Sequence, residues 1–261
     1  MTLALSPGLV AVLAAVVAVA GAVNGVAGFG FAVVGTMALA AALAPATAVA
    51  FMIVPMFAVN LALVSELSAA DLRSCGGRFG PLLLATLAGT VVGMAVLDRI
   101  PAAPLRLLLG LVSLGFVAAT QRAVPLPTPS SGGGGGIVGS TAAMTVVGGV
   151  SGLLFGATNV GVQLVAYLRL FDLRHGLFVG VVALVFVGVN ALRVGAAAAF
   201  GLYPDAGFVA ASAAAAIPAV AGVAVGKRLR DRVADGTRRA VVLGLLTVIG
   251  VRLTLGGAGV I

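Results

Sequence analysis

Along this chain, long apolar runs alternate with short polar or Pro/Gly-rich connections, and the runs far exceed the stripe that an amphipathic soluble helix needs. They fall at 8–43, 47–66, 79–97, 103–121, 137–168, 176–200, 206–226 and 238–258. A bilayer crossing takes about 20 apolar residues, so six of the runs predict one membrane helix each. The first and fifth are too long for a single crossing. Each is interrupted by glycines and small polar residues, in GAVNGVAGFG (Gly21 to Gly30) and in GGVSGLLFGATN (Gly148 to Asn159).

The pattern also repeats. AGTVVGMAVLDRI (Ala88 to Ile100) matches AGVAVGKRLRDRV (Ala221 to Val233) at an offset of 133, and Gly25 stands opposite Gly152 in the two interrupted runs. Asn60 and Asn190 fall in matching places, each preceded by Val. Between the halves lies VPLPTPSSGGGGG, whose prolines and glycines exclude a helix. The predicted fold is therefore an all-α polytopic membrane protein of about eight transmembrane spans. It is organised as two four-helix repeats, 1–123 and 137–261, joined by a linker at 124–136. The first helix of each repeat is broken at a Gly-rich segment.

With four crossings per repeat the halves run in the same direction. The connections at 44–46, 98–102, 169–175 and 227–237 then share one side, and ten basic residues gather there against Arg73, Arg78 and Arg122 opposite. The positive-inside rule makes the richer side cytoplasmic and leaves both termini outside. If the broken spans turn back or cross twice, the repeats are inverted instead, as in many transporters.

Composition narrows the chemistry. The chain is 61% apolar and 8% charged, which excludes a soluble domain, a disordered chain and a disulfide scaffold. Seven carboxylates, His175 and Cys75 leave little for enzymology, and no cofactor or metal site is expected. The N-terminal run carries an A-x-A at Ala18 to Ala20 but lacks a basic n-region, so it reads as a retained first helix. The basic run from Lys227 to Arg239 reads as a cytoplasmic loop near anionic lipid headgroups rather than a nucleic-acid patch. No carboxylate is embedded mid-span, so no intramembrane proton relay is evident. A membrane potential of 100 mV contributes about 2.3 kcal/mol to each exported charge.

The two breaks are the candidate substrate sites. An unwound stretch at membrane depth survives only where it is buried in protein or lines a cavity. The first break offers Asn24, Gly25, Gly28 and Gly30; the second offers Ser151, Gly152, Gly156, Thr158 and Asn159, followed by Gln163. The competing reading is that these glycines allow close helix packing. Asn60 and Asn190 are candidates either to bind substrate or to hydrogen-bond between helices. Arg193, inside the sixth span, is a candidate anion ligand, with snorkelling to the interface as the alternative. Arg252 lies closer to the terminus and reads as a snorkelling residue; His175 reads as a solvated loop residue.

The Gly-rich first span, the four-plus-four pattern and the paired G-x-x-x-G-x-x-x-x-D-R segments resemble the sulfite exporter TauE/SafE family of membrane transporters, over nearly the whole chain. The resemblance implies a permease for sulfite, sulfonates, sulfoacetate or similar small anions in the cell inner membrane. Expected partners are a small anionic substrate and membrane lipids, without nucleic acid; a homodimer is left open. The alternatives are an anion or ion channel, or an assembly factor without transport.

Overall fold

The computed structural model describes residues 7–27, 30–64, 79–97, 99–120, 139–168, 171, 175–230, 232 and 234–260. These residues form helices and connections, with no strand among them. In chain order the helices are α1 (Pro7–Ala27), α2 (Phe31–Ala40), α3 (Pro45–Phe51), α4 (Ile53–Val64), α5 (Gly80–Leu97), α6 (Ala102–Thr120), α7 (Thr141–Thr158), α8 (Val162–Leu168), α9 (His175–Ala199), α10 (Ala206–Arg230) and α11 (Asp235–Gly257). Four segments, 45–62, 80–97, 141–158 and 206–229, are long and apolar enough to cross a membrane; the further apolar stretches, 10–26, 31–40, 102–115, 184–199 and 246–257, are shorter. Leu84, Val146, Ile217 and Val248 are each more than 60% exposed on the bundle surface. Apolar side chains turned outward along the spans suit contact with lipid.

Local chemistry sets the helix ends. Ser140 caps α7 by accepting from the Ala143 amide at 3.2 Å, and Asp205 caps α10 by accepting from the Phe208 amide at 2.8 Å. Pro45 opens α3, where its missing N–H costs nothing. Pro55 also lacks an N–H, so the Phe51 carbonyl has no donor four residues on. The Ser212 hydroxyl of α10 takes that carbonyl at 2.6 Å and ties the second run to α10.

Both overlong runs are broken, the first at Gly30, ahead of α2, and the second at 159–161. The first break is a turn-back. A Cβ on Gly30 would face Val23, one on Gly35 would approach Ala20, and the Phe31 amide donates to Asn24 Oδ1 at 3.4 Å. α2 therefore runs back along α1.

Two glycine seams form the most intimate contacts. α1 lies parallel to α10: Gly21 abuts Ala219 and Val223, Gly25 abuts Val223 and Gly226, and Gly222 and Gly226 reciprocate against Ala18 and Ala22. α7 lies parallel to α5 in the same way, with Gly148, Gly152 and Gly156 against Leu82, Thr86 and Thr90. In both seams a Cβ would overlap a backbone carbonyl of the neighbouring helix, so glycine alone allows this approach. α6 and α11 pack antiparallel: Gly110 lies beside Thr254, Gly257 beside Ala103 and Leu107, and Ser113 Oγ donates to the Leu246 carbonyl at 2.9 Å.

These directions correct the same-direction count. The short connections after α5 and after α10 reverse the chain, so α5 runs opposite to α6 and α10 runs opposite to α11. Because α6 opposes α11, the end of α5 and the end of α10 lie at opposite ends of the bundle. α1 likewise runs opposite to α7, and α5 opposite to α10. The physical reason is the turn-back at the first break, which adds a pass and changes the parity of the crossings.

The seams make a direct prediction. Gly152→Ala places a methyl group against the Thr86 carbonyl, whereas a Cβ at neighbouring Gly149 meets nothing within 4 Å. Gly152→Ala lowers the thermal unfolding midpoint in detergent by several degrees. Gly149→Ala leaves it unchanged or raises it, since alanine is favoured over glycine in a helix by about 1 kcal/mol.

Candidate functional site

The site grows from the second break. α7 ends on Asn159, whose φ of 62° is left-handed, a conformation asparagine tolerates better than other non-glycine residues. The bend is held locally: the Thr158 hydroxyl donates to the Leu154 carbonyl at 2.6 Å and accepts from the Val160 amide at 3.2 Å. Gln163, in α8, donates to the Val160 carbonyl at 2.9 Å. Stopping the helix there buries the Asn159 carboxamide completely.

That carboxamide joins three other helices. Its Nδ2 donates at 3.0 Å to Thr36 Oγ1 of α2 and at 3.0 Å to the Val49 carbonyl of α3. Its Oδ1 accepts from Nη2 of Arg193 on α9. Arg193 is wholly buried, and its guanidinium carbon lies 4.8 Å from the centroid of the Phe155 ring, over the ring face. No carboxylate pairs with it among the described residues. Its Nε and Nη1 have no hydrogen-bond partner, nor do Asn190 Oδ1 and the Tyr203 hydroxyl. These four buried atoms all belong to α9 and the connection that follows it.

Tyr203 is placed there by the end of α9. Gly201 is left-handed at φ 68°, and the Leu202 amide bonds back to the Ala197 carbonyl at 2.9 Å, which turns the chain sharply. Burial raises the pKa of the Tyr203 hydroxyl, and the Arg193 charge works in the opposite direction.

The structure thus gathers Thr158, Asn159, Asn190 and Arg193 in one region, with Gln163 bonded to the break beside them. Asn24 and Gly30 sit at the first break, with Asn24 reaching the first turn of α2. Gly28 lies outside the described residues. Gly25, Gly152 and Gly156 stand within helices, in the tight seams, where the close-packing reading describes their surroundings. Ser151 is buried in α7. Asn60 donates at 2.9 Å to the Met56 carbonyl of its own helix, as Asn190 does at 2.8 Å to Phe186.

Sequence reading missed Thr36, Phe155, Tyr203 and the Val49 carbonyl. Thr36 carried a signal, as the one hydroxyl in the run Phe31 to Ala40. The Val49 carbonyl carried none, because any backbone could have supplied it.

Asn159→Gly keeps the left-handed bend but removes all three cross-links. A buried polar group left unsatisfied costs about 1–3 kcal/mol, so this variant melts well below the parent. Asn60→Ala, which loses one bond within its own helix, stays within about 1 kcal/mol of it. Thermal unfolding of the two purified variants in detergent checks the contrast.

No curated protein and no solved structure matches the chain. The family model described as "Sulfite exporter TauE/SafE" matches residues 13–253, and so spans both breaks, both glycine seams and the Arg193 network. A multi-pass helical membrane protein matched over that length belongs to the sulfite exporter TauE/SafE family of membrane transporters.

Proposed function

We propose that the protein is a permease that moves a small anion, such as sulfite, a sulfonate or sulfoacetate, across the cell inner membrane, with Arg193 as its principal anion ligand. The observation that carries this reading is a fully buried guanidinium with two unpartnered nitrogens and no carboxylate beside it. An unpaired charge at this depth is costly, and functional binding is the usual reason such a residue is retained. An oxyanion meeting Nε and Nη1 would receive two charge-assisted hydrogen bonds. Asn159 orients the guanidinium from the opposite side and couples it to α2 and α3. Arg193 is sealed from solvent in this conformation, so the anion enters and leaves as the two halves move relative to each other, with the breaks as hinges.

The arrangement of the halves supports alternation. Helices that hold matching places in the two halves, α1 with α7, α5 with α10 and α6 with α11, run in opposite directions. This supports two inverted repeats, each of which can adopt the conformation of the other to open the site to the other face. It also supports an orientation. Among the described residues, Lys227, Arg228, Arg230, Arg232, Arg238 and Arg239 belong to the end where α6 finishes and α7 begins, the linker end. Arg99, Arg106 and Arg252 belong to the far end. We therefore place the linker end in the cytoplasm and both termini outside.

Two experiments test this reading. Arg193→Met abolishes sulfite or sulfoacetate counterflow in proteoliposomes while the chain stays folded in detergent, because losing the desolvation cost of a buried charge offsets the bond lost at Asn159 Oδ1. Counterflow at the parent rate in that variant would exclude Arg193 from the site. The orientation is read with Cys75, the chain's single cysteine, in the connection before α5. A membrane-impermeant maleimide labels it only after spheroplasts are permeabilised. A Cys75→Ser, Pro101→Cys chain labels in intact spheroplasts. The reverse pattern would overturn this orientation and place the linker end outside.

A further inference from the structure

We infer that the far end of the bundle carries a second anion site, separate from Arg193: a vestibule between α2, α6 and α11. A cavity of about 220 Å³ opens there, lined by Ala40, Ala41, Arg106, Arg252, Leu253 and Gly256. Among the described residues its only charged walls are two arginines, with no acidic residue in the lining. The two come from different helices, α6 and α11, held in register by the antiparallel contacts of Gly110 with Thr254 and Gly257 with Ala103. Two like charges facing one space repel each other, and an anion between them relieves that repulsion while gaining hydrogen bonds from both.

The distribution of charge makes the pairing distinctive. Among the described residues the far end carries Arg99, Arg106 and Arg252 as its only basic residues, and two of these three converge on this cavity. A snorkelling role requires no such convergence. The third wall is the C-terminal end of α2, one turn beyond Thr36, which bonds to Asn159 and through it to Arg193. The vestibule therefore lies one helical turn from the network that holds the buried guanidinium. Its ligand is an oxyanion group of the sulfate, sulfonate or phosphate kind, carried by a free anion or by an anionic lipid headgroup. The role as a way station for substrate rests on the permease reading, but the binding itself does not.

The experiment uses the full chain in neutral detergent with Arg193→Met as background, so that the buried site contributes nothing. Sodium sulfate is titrated against sodium chloride at equal ionic strength while the thermal midpoint is followed, and native mass spectra record retained phosphatidylglycerol. Saturable stabilisation by sulfate, weakened about tenfold or more by adding Arg106→Gln and Arg252→Gln, supports a free-anion site. Phosphatidylglycerol retained by the background chain and lost from the double glutamine variant supports the headgroup as the source. Arg106→Lys with Arg252→Lys preserves the charge and restores most of the binding in either case. If neither sulfate stabilisation nor lipid retention differs between the background chain and the double glutamine variant, the vestibule is not an anion site. Because every arm lacks Arg193, the permease reading stands or falls separately, on counterflow by the parent chain.

Discussion

Inside a bilayer every backbone N–H and C=O must find a partner in the protein, since lipid offers none and each unsatisfied group costs several kcal/mol. The architecture follows from how this chain meets that requirement wherever a helix stops. At the second break the carboxamide of Asn159 takes up the Val49 carbonyl and the Thr36 hydroxyl, and at Pro55 the Ser212 hydroxyl takes up the orphaned Phe51 carbonyl. Asn24 meets the first amide of α2 across the first break. Each repair reaches into another helix, so satisfying the backbone also assembles the bundle. The Asn159 repair goes further, because its remaining oxygen is left to orient a buried arginine.

A second constraint acts through distance. Lipid tails are as apolar as leucine, so helices associate by packing rather than by escape from the solvent. The seams of α1 with α10 and of α5 with α7 meet it with glycines facing carbonyls at close range. Such seams are rigid, since neither helix can slide without lifting its neighbour off a ridge. α2 and α8, which restart after the breaks, are shorter and lie outside these seams. The molecule thus pairs two close-packed seams with two short helices that restart at the breaks, and the buried guanidinium reaches α2 through Asn159.

Much of the site was legible. Asn159 and Arg193 stood out as polar residues in long apolar runs, and both proved wholly buried and bonded to each other. Gly25, Gly152 and Gly156 were visible as a pattern, but the pattern cannot separate a glycine that frees the backbone from one that admits a neighbour. Here they admit neighbours, while the left-handed turns fall to Gly30 and Asn159. Arg252 read as a residue reaching for the interface. Only the antiparallel contact of α6 with α11 brings it to the same cavity as Arg106.

The sequence by itself determined that this is a helical membrane protein, where its long runs break, and which few polar groups enter the apolar interior. Those properties are local: they depend on the length of an apolar run and on the residues that interrupt it. The direction of each helix, the partner it packs against and the convergence of Thr36, Val49, Asn159 and Arg193 were decided only by the tertiary structure. Whether a broken span continues or turns back depends on which neighbour accepts its freed hydrogen bonds. At the second break that neighbour lies more than 100 residues away along the chain. One such turn-back is enough to change the parity of the crossings and reverse the sense in which the two halves face each other.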